Sequence, residues 1–330
     1  MGIAPIFLFS ISRSGSTLVQ RILAAHDGVA TVSEPWLLLP LVYSLRRDGV
    51  LAEYVHPLMV DAIEDFYGEF PLGREDYLLQ AREFAGQLYE KAAGDGARYF
   101  VDKSPPYCLV ADEIMQLFPE GKFVFLWRNP LSVIASMLQT WLAGRWHPTM
   151  FRSDLFIGLP RLVAAYNTNA DNSYSARFED LVAGEESHWR PLMEYLGIEF
   201  DASALAGFSA VELKGRMGDP TGTKRYSALS SDPSEKWRGA FGNPIRTAWC
   251  RRYLRFLGAE RLEIMGYSLD QLLRDLEAQP TGTAFLLSDL GRAALDVAKE
   301  PLRPQVQRSG LGGPNVIRAL LRPEARSASA

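Results

Sequence analysis

Ile6-Phe7-Leu8-Phe9-Ser10-Ile11-Ser12-Arg13-Ser14-Gly15-Ser16-Thr17-Leu18-Val19-Gln20-Arg21-Ile22-Leu23 is the stretch that decides the fold. Its first four residues are apolar without alternation, the pattern of a strand buried on both faces, and its last six have helical spacing. Small residues join the two, so the segment Ile3 to Leu23 reads as strand, loop and helix. A helix N-terminus presents unbonded backbone N–H groups and a partial positive charge. Gly15 permits close backbone approach, Ser14, Ser16 and Thr17 add hydroxyl donors, and Arg13 adds a full charge at the mouth. The unit is an anion cradle by its chemistry. A Ser/Thr cap on an ordinary strand–helix unit explains one hydroxyl, not several plus an arginine. A Walker nucleotide loop needs a lysine immediately before Ser16, where this chain has Gly15.

The remaining composition sets limits. The 330 residues, 47% hydrophobic, suffice for one large α/β core, which is the organisation expected here, followed by a tail. With 35 basic against 39 acidic residues the net charge is −4, which gives no general attraction to nucleic acid or anionic membrane. Cys108 and Cys250 stand far apart and form no ligand-spaced cluster with the four histidines, so neither a disulfide framework nor a metal site is indicated. A reducing, cytoplasmic setting follows as the expectation. The first strand begins within a few residues of Met1 and no apolar run is long enough to span a bilayer, so stable membrane insertion is not expected.

Three further positions belong with the cradle. Val29–Ser33 is a short β-prone run that delivers Glu34 to a strand end, and Arg98–Val101 is another that delivers Lys103. In an open parallel sheet strand ends form the ligand-binding edge. A solvated loop carboxylate remains the alternative for Glu34, and a salt bridge to Asp102 the alternative for Lys103. Phe123–Trp127 is an apolar strand ending at Arg128, and Asn129-Pro130 turns the chain into a helix carrying Val133, Ile134, Met137 and Leu138 inward. Arg128 at the strand end and Ser136 about two turns into that helix would grip one phosphate together.

The first loop resembles the 5′-phosphate loop of sulfotransferases that use 3′-phosphoadenosine 5′-phosphosulfate (PAPS). Arg128, Pro130 and Ser136 resemble the family's 3′-phosphate motif, Asp102-Lys103-Ser104-Pro105 its catalytic lysine segment, and Glu34, one helix beyond the loop, its catalytic glutamate. Two phosphate motifs in the right order, with a lysine segment and a base between them, identify the chain as a PAPS-dependent sulfotransferase, closest in pattern to the tyrosylprotein and carbohydrate branch. The motif resemblance covers Ile3–Ser136 and extends weakly to about Arg255. It implies a single P-loop-like three-layer α/β domain over 1–280, with a central parallel sheet flanked by helices. Residues 281–330 are expected to add a helix over Phe285–Ala298 and a mobile tail.

The resemblance implies catalysis by Glu34, Lys103 and Arg13, with no metal. It implies PAPS held by Arg13, Ser14, Gly15, Ser16, Thr17, Arg128 and Ser136, and by Lys236 and Trp237 in a closing loop. Ser234-Glu235-Lys236-Trp237 resembles the family's Ser-Lys-Trp element with one extra residue, which leaves Lys224 and Arg225 as substitutes for Lys236. Phe178 stands where relatives carry a tyrosine. The acceptor expected is a small molecule, lipid, polyketide or glycoconjugate hydroxyl; the aromatic, basic stretch Trp141–Phe151 is either a cover for it or a core-packing loop, and His147 is an alternative base ranked below Glu34. The helix Glu75–Ala93 is expected to turn Leu78, Phe84, Ala85 and Tyr89 inward, and Ser173–Leu181 to run as strand and loop. A non-catalytic binder of 3′-phosphoadenosine 5′-phosphate (PAP) and an ATP-dependent phosphotransferase are the rivals. The sequence does not specify the oligomeric state.

Overall fold

Strand β1 (Ala4–Phe9) lies in the middle of a five-stranded sheet with β2 (Val29–Thr31), β3 (Tyr99–Asp102), β4 (Lys122–Trp127) and β5 (Ser173–Arg177), in the order β2-β3-β1-β4-β5. Each neighbouring pair is parallel, with Ile6 opposite both Val101 and Lys122. The computed structural model describes residues 2–47, 49–50, 52, 54–215, 229, 237–280 and 282–299. Among these no helix is long and apolar enough to cross a membrane.

Strand periodicity divides the core by residue type, because successive side chains point to opposite faces. Phe7, Phe9, Phe123, Phe125 and Trp127 face one side, with Phe7 stacked on Phe123 at 5.6 Å and Phe9 on Phe123 at 6.0 Å. Ile6, Leu8, Val124 and Leu126 face the other. Both sides are covered. The aromatic face packs against α4 (Arg74–Ala93), α5 (Ala111–Leu117), α6 (Pro130–Leu142), α7 (Leu159–Thr168) and α11 (Pro244–Ile264). The aliphatic face packs against α1 (Ser16–Leu23), α8 (Phe178–Val182) and α9 (Glu186–Leu196). The three-layer α/β arrangement with a central parallel sheet that the family resemblance implies is therefore present. Shorter helices α2 (Leu38–Tyr43), α3 (His56–Gly68) and α10 (Ala202–Gly207) fill the connections, and α12 (Leu269–Glu277) and α13 (Leu286–Lys299) follow α11.

Strand order creates the crevice. From β1 the chain leaves towards β2 and β3, whereas from β4 it leaves towards β5, so the carboxyl ends of β1 and β4 bound a topological switch point, where open parallel sheets bind ligands.

Several local expectations change. In α4 Leu78, Ala85 and Tyr89 are buried, but Phe84 is 52% exposed, because a helix on the rim of the molecule buries a narrower stripe than its apolar content suggests. Residues after β5 form α8, not a loop. A 3₁₀ turn, Pro105–Leu109, begun by consecutive prolines, leads from β3 into α5. Between α11 and α12 the chain turns at Gly266, whose φ of +83° lies in the left-handed region.

Candidate active site

The loop after β1 departs from the helical geometry of an ordinary N-cap. Arg13 has a φ of +68° and Gly15 of +90°, and the residue capping α1 is Gly15, with no side-chain cap hydrogen bond. A Cβ on Gly15 would lie 2.1 Å from the Phe178 ring, so the position admits neither a side chain nor an ordinary backbone. Its compact form leaves the first-turn N–H groups of α1 directed along the helix axis, as an anion site requires. Ser12 N–H donates to Asp154 Oδ1 at 3.1 Å, anchoring the loop from a π-helical turn, Ser153–Gly158. Burial pushes the Asp154 carboxyl above its ordinary range.

Arg13, Arg128 and Ser136, 123 residues apart at the extremes, converge here. Arg13 Nε donates to Ser136 Oγ at 3.2 Å, and Arg128 Nη1 donates to the Arg13 carbonyl at 2.8 Å. The Arg128 guanidinium lies over the Phe178 ring, 4.5 Å from its centroid. Phe178 thus makes two contacts that its identity as a missing tyrosine did not suggest: it backs the arginine and closes the space beside Gly15. The loop after β4 is held in turn by Glu179, which accepts from Asn129 N–H at 3.0 Å and from the Tyr267 hydroxyl at 2.6 Å.

Two strands away, Lys103 Nζ donates to Glu34 Oε1 at 2.6 Å. The lysine side chain is 1% and the glutamate 10% exposed, so the pair is nearly desolvated. Lys103 pairs with Glu34; Asp102 points into the core and accepts from Tyr89 at 2.7 Å, Tyr107 at 3.0 Å and Ser104 at 3.1 Å. Burial raises the Asp102 carboxyl to about 6, against the lowering effect of those donors and of Lys103. Gln20 of α1 fastens the segment leading to Glu34: its amide donates to Thr31 Oγ1 at 2.8 Å, to Val32 O at 2.7 Å and to Ser33 O at 3.0 Å.

Ser14 and Ser16 are buried in the loop and Thr17 is half-buried. His147 is half-buried between buried Trp146 and Pro148. Trp237 is buried in the apolar core, its ring 6.3 Å from Phe241. Lys236 lies outside the described residues, as do Lys224 and Arg225. Sequence reasoning did not select Gln20, Trp36, Asp102 or Asp154. A polar residue on an otherwise apolar helix face was the available signal for Gln20, and an acid at the end of a buried strand was the signal for Asp102.

Residues 5–202 match the profile described as the Sulfotransferase family, more than half of the chain. The chain belongs to the sulfotransferase family. Use of PAPS is typical of this family. Nodulation protein NoeE of Sinorhizobium fredii (strain NBRC 101917 / NGR234) is 30% identical over 286 residues, 79% of this chain and 65% of that protein. Protein-tyrosine sulfotransferase 2 of Gallus gallus is 25% identical over 218 residues, 61% of this chain and 53% of that protein. The chain thus matches less than two thirds of the length of either relative. A solved sulfotransferase domain from the curacin biosynthetic pathway shares the fold, with a TM-score of 0.51 and 22% identity over 71% of this chain and 90% of that one. Within this sulfotransferase-family chain Arg13, Glu34, Lys103, Arg128 and Ser136 all fall inside the matched span, whereas Lys236 and Trp237 fall beyond it.

Proposed function

We propose that this protein transfers a sulfuryl group from PAPS to an acceptor hydroxyl, with Glu34 as base, and releases PAP. One observation carries the reading. Across the sheet, Glu34 follows β2, Lys103 follows β3, the Arg13–Thr17 loop follows β1 and Arg128 follows β4, and these four strands are consecutive neighbours. A proton acceptor, an ammonium, an anion cradle and a second arginine therefore succeed one another along the crevice edge. The reaction needs groups for the acceptor hydroxyl, the sulfuryl group, the 5′-phosphate and the 3′-phosphate in that sequence.

The residues present fit the donor. The Gly15 backbone approaches Phe178 too closely for any side chain, which leaves the loop open to a phosphate rather than to its own cap, and Arg13, Arg128 and Ser136 are suited to anionic oxygens. PAPS supplies an activated sulfur whose leaving group is a phosphate. An S–O bond forms to the acceptor oxygen as the S–O bond to the 5′-phosphate breaks, and the hydroxyl proton passes to Glu34. Lys103 has three N–H donors, so holding Glu34 and meeting charge on the sulfuryl oxygens are compatible tasks. Loop N–H groups, the Ser14, Ser16 and Thr17 hydroxyls and Arg13 receive the charge that builds on the leaving phosphate. Residues 1–280 carry every group in this account. The two free cysteines, Cys108 and Cys250, are buried, and the proposal places the protein in the reducing cytoplasm.

Calorimetric titration with PAP beside ADP, which lacks the 3′-phosphate, tests the donor assignment. Preference for PAP is expected, and Arg128→Ala should weaken PAP binding by about 10- to 100-fold, the worth of a charge-assisted hydrogen-bond pair. Equal affinity for both nucleotides would overturn it.

A further inference from the structure

Trp36 has a left-handed backbone, with a φ of +52°, a conformation costly for a bulky residue. The surroundings impose it from both sides. Its N–H donates to Ser104 Oγ at 3.1 Å, and two residues on the Leu38 N–H donates to the Tyr107 hydroxyl at 3.0 Å. Ser104 and Tyr107 both donate to the buried Asp102 carboxylate. One carboxylate in the core thus sets the backbone before and after Leu37.

This strain does not bury the side chain. The Trp36 residue is 39% exposed, although tryptophan is among the side chains with most to gain from burial. What the conformation achieves is proximity to the base: the indole Nε1–H donates to Glu34 Oε2 at 3.2 Å, while Lys103 holds Oε1. A second exposed tryptophan, Trp141 at 45%, lies against the Arg13 guanidinium at 5.9 Å. The base and the phosphate loop each carry an open indole.

We infer that Trp36 selects the acceptor: it orients Glu34 through its N–H and offers its ring face to an acceptor whose reacting hydroxyl is borne on a rigid six-membered ring with an apolar face, the C–H face of a sugar or the flat ring of a phenol. The inference rests on the sulfuryl-transfer reading above. A rigid ring stacks on an indole with defined geometry and loses few rotors on binding, whereas an alkyl alcohol must order its chain to cover the same face. Neither carboxylate oxygen is saturated by one donor, so Glu34 retains lone pairs for the acceptor O–H while bound to Trp36 and Lys103.

The test compares sulfation of cellotetraose, 4-nitrophenol and octan-1-ol from radiolabelled PAPS by wild type, Trp36→Ala and Trp36→Phe, with PAP affinity measured alongside. Expected are a kcat/KM at least about tenfold higher for a ring acceptor than for octan-1-ol, and loss of that preference in Trp36→Ala through a raised KM. Trp36→Phe keeps the ring and loses the N–H, so its KM for the ring should stay near wild type while kcat falls. Which ring is turned over distinguishes sugar from phenol. Octan-1-ol matching the rings, no ring turned over by a protein that binds PAP, or an unchanged preference in Trp36→Ala would each overturn the inference. Absence of any PAP preference in wild type would instead count against the sulfotransferase activity itself.

Discussion

Glu34 has its two oxygens committed to different donors, the Lys103 ammonium and the Trp36 indole, before any substrate arrives. That arrangement orients the Glu34 carboxylate, as the base role proposed for it requires. Glu34→Gln is expected to reduce sulfation by about 10²- to 10⁴-fold, the usual worth of a positioned base, and to leave PAP affinity near wild type. An assay of both quantities on one preparation checks it, and a fully active variant would remove Glu34 from the role. Asp102 makes a separate prediction. Its carboxyl is raised from 3.8 to about 6 by burial, so the folded state binds a proton more tightly than the unfolded chain does. Stability therefore falls as pH rises from about 4 through about 6 and is flat above, by about 3 kcal/mol in total. Asp102→Asn should abolish that component, which urea unfolding of both proteins at pH 4.5 and 7.5 would reveal as a pH-dependent difference.

At the scale of elements, α1 serves two strand ends at once. Its N-terminus forms the cradle after β1, and Gln20, one turn further on, holds the backbone of Thr31, Val32 and Ser33 that carries Glu34 beyond β2. The helix therefore sets the spacing between the Arg13–Thr17 loop and Glu34. Gln20→Ala leaves buried carbonyls without their donor, at a cost of about 1–3 kcal/mol. Sulfation should fall through kcat, while PAP affinity, which the proposal assigns to the N-terminus of the helix and the loop before it, should change little. Loss of PAP binding in step with turnover would show that the two ends are not separable. The loop after β4 has a comparable brace in Glu179, joined to both Asn129 and Tyr267, which ties the Arg128 segment to the chain after α11.

For the molecule as a whole, the apolar sheet faces supply the core and a few buried polar joints hold distant segments to it. Arg246 Nε donates to Asp289 Oδ2 at 2.7 Å, and Asn243 Nδ2 donates to the same oxygen at 2.6 Å, so α13 is pinned to the start of α11. Both side chains of the ion pair are less than one tenth exposed. Removing one partner of a buried pair leaves the other charge unpaired, and Asp289→Ala is expected to destabilise by about 3–5 kcal/mol. Denaturant unfolding followed by fluorescence would measure it. PAP affinity should be preserved, since the Asp289 carboxylate is bonded to Asn243 and Arg246 and to none of the groups assigned to PAP.

What the sequence by itself determined lies where short-range pattern and chemistry coincide. Unalternating apolar runs before Arg13 and Arg128, each followed by a helix, pointed to strands buried on both faces, and β1 and β4 are such strands, paired in parallel. Arg13, Glu34, Lys103 and Arg128 were placed after strands for that reason, whereas their roles, and the choice of Ser136, came from the family resemblance. Tertiary structure alone decided which of them meet: Lys103 pairs with Glu34 and not with its neighbour Asp102, and Arg13 reaches Ser136 across more than a hundred residues. It also decided that Trp237 packs in the core and that Phe178 takes a place at the phosphate loop. The reason is physical. Periodicity reports which side of an element faces the core, but contacts between strand ends depend on strand order and register, and these are settled by the packing of the whole sheet.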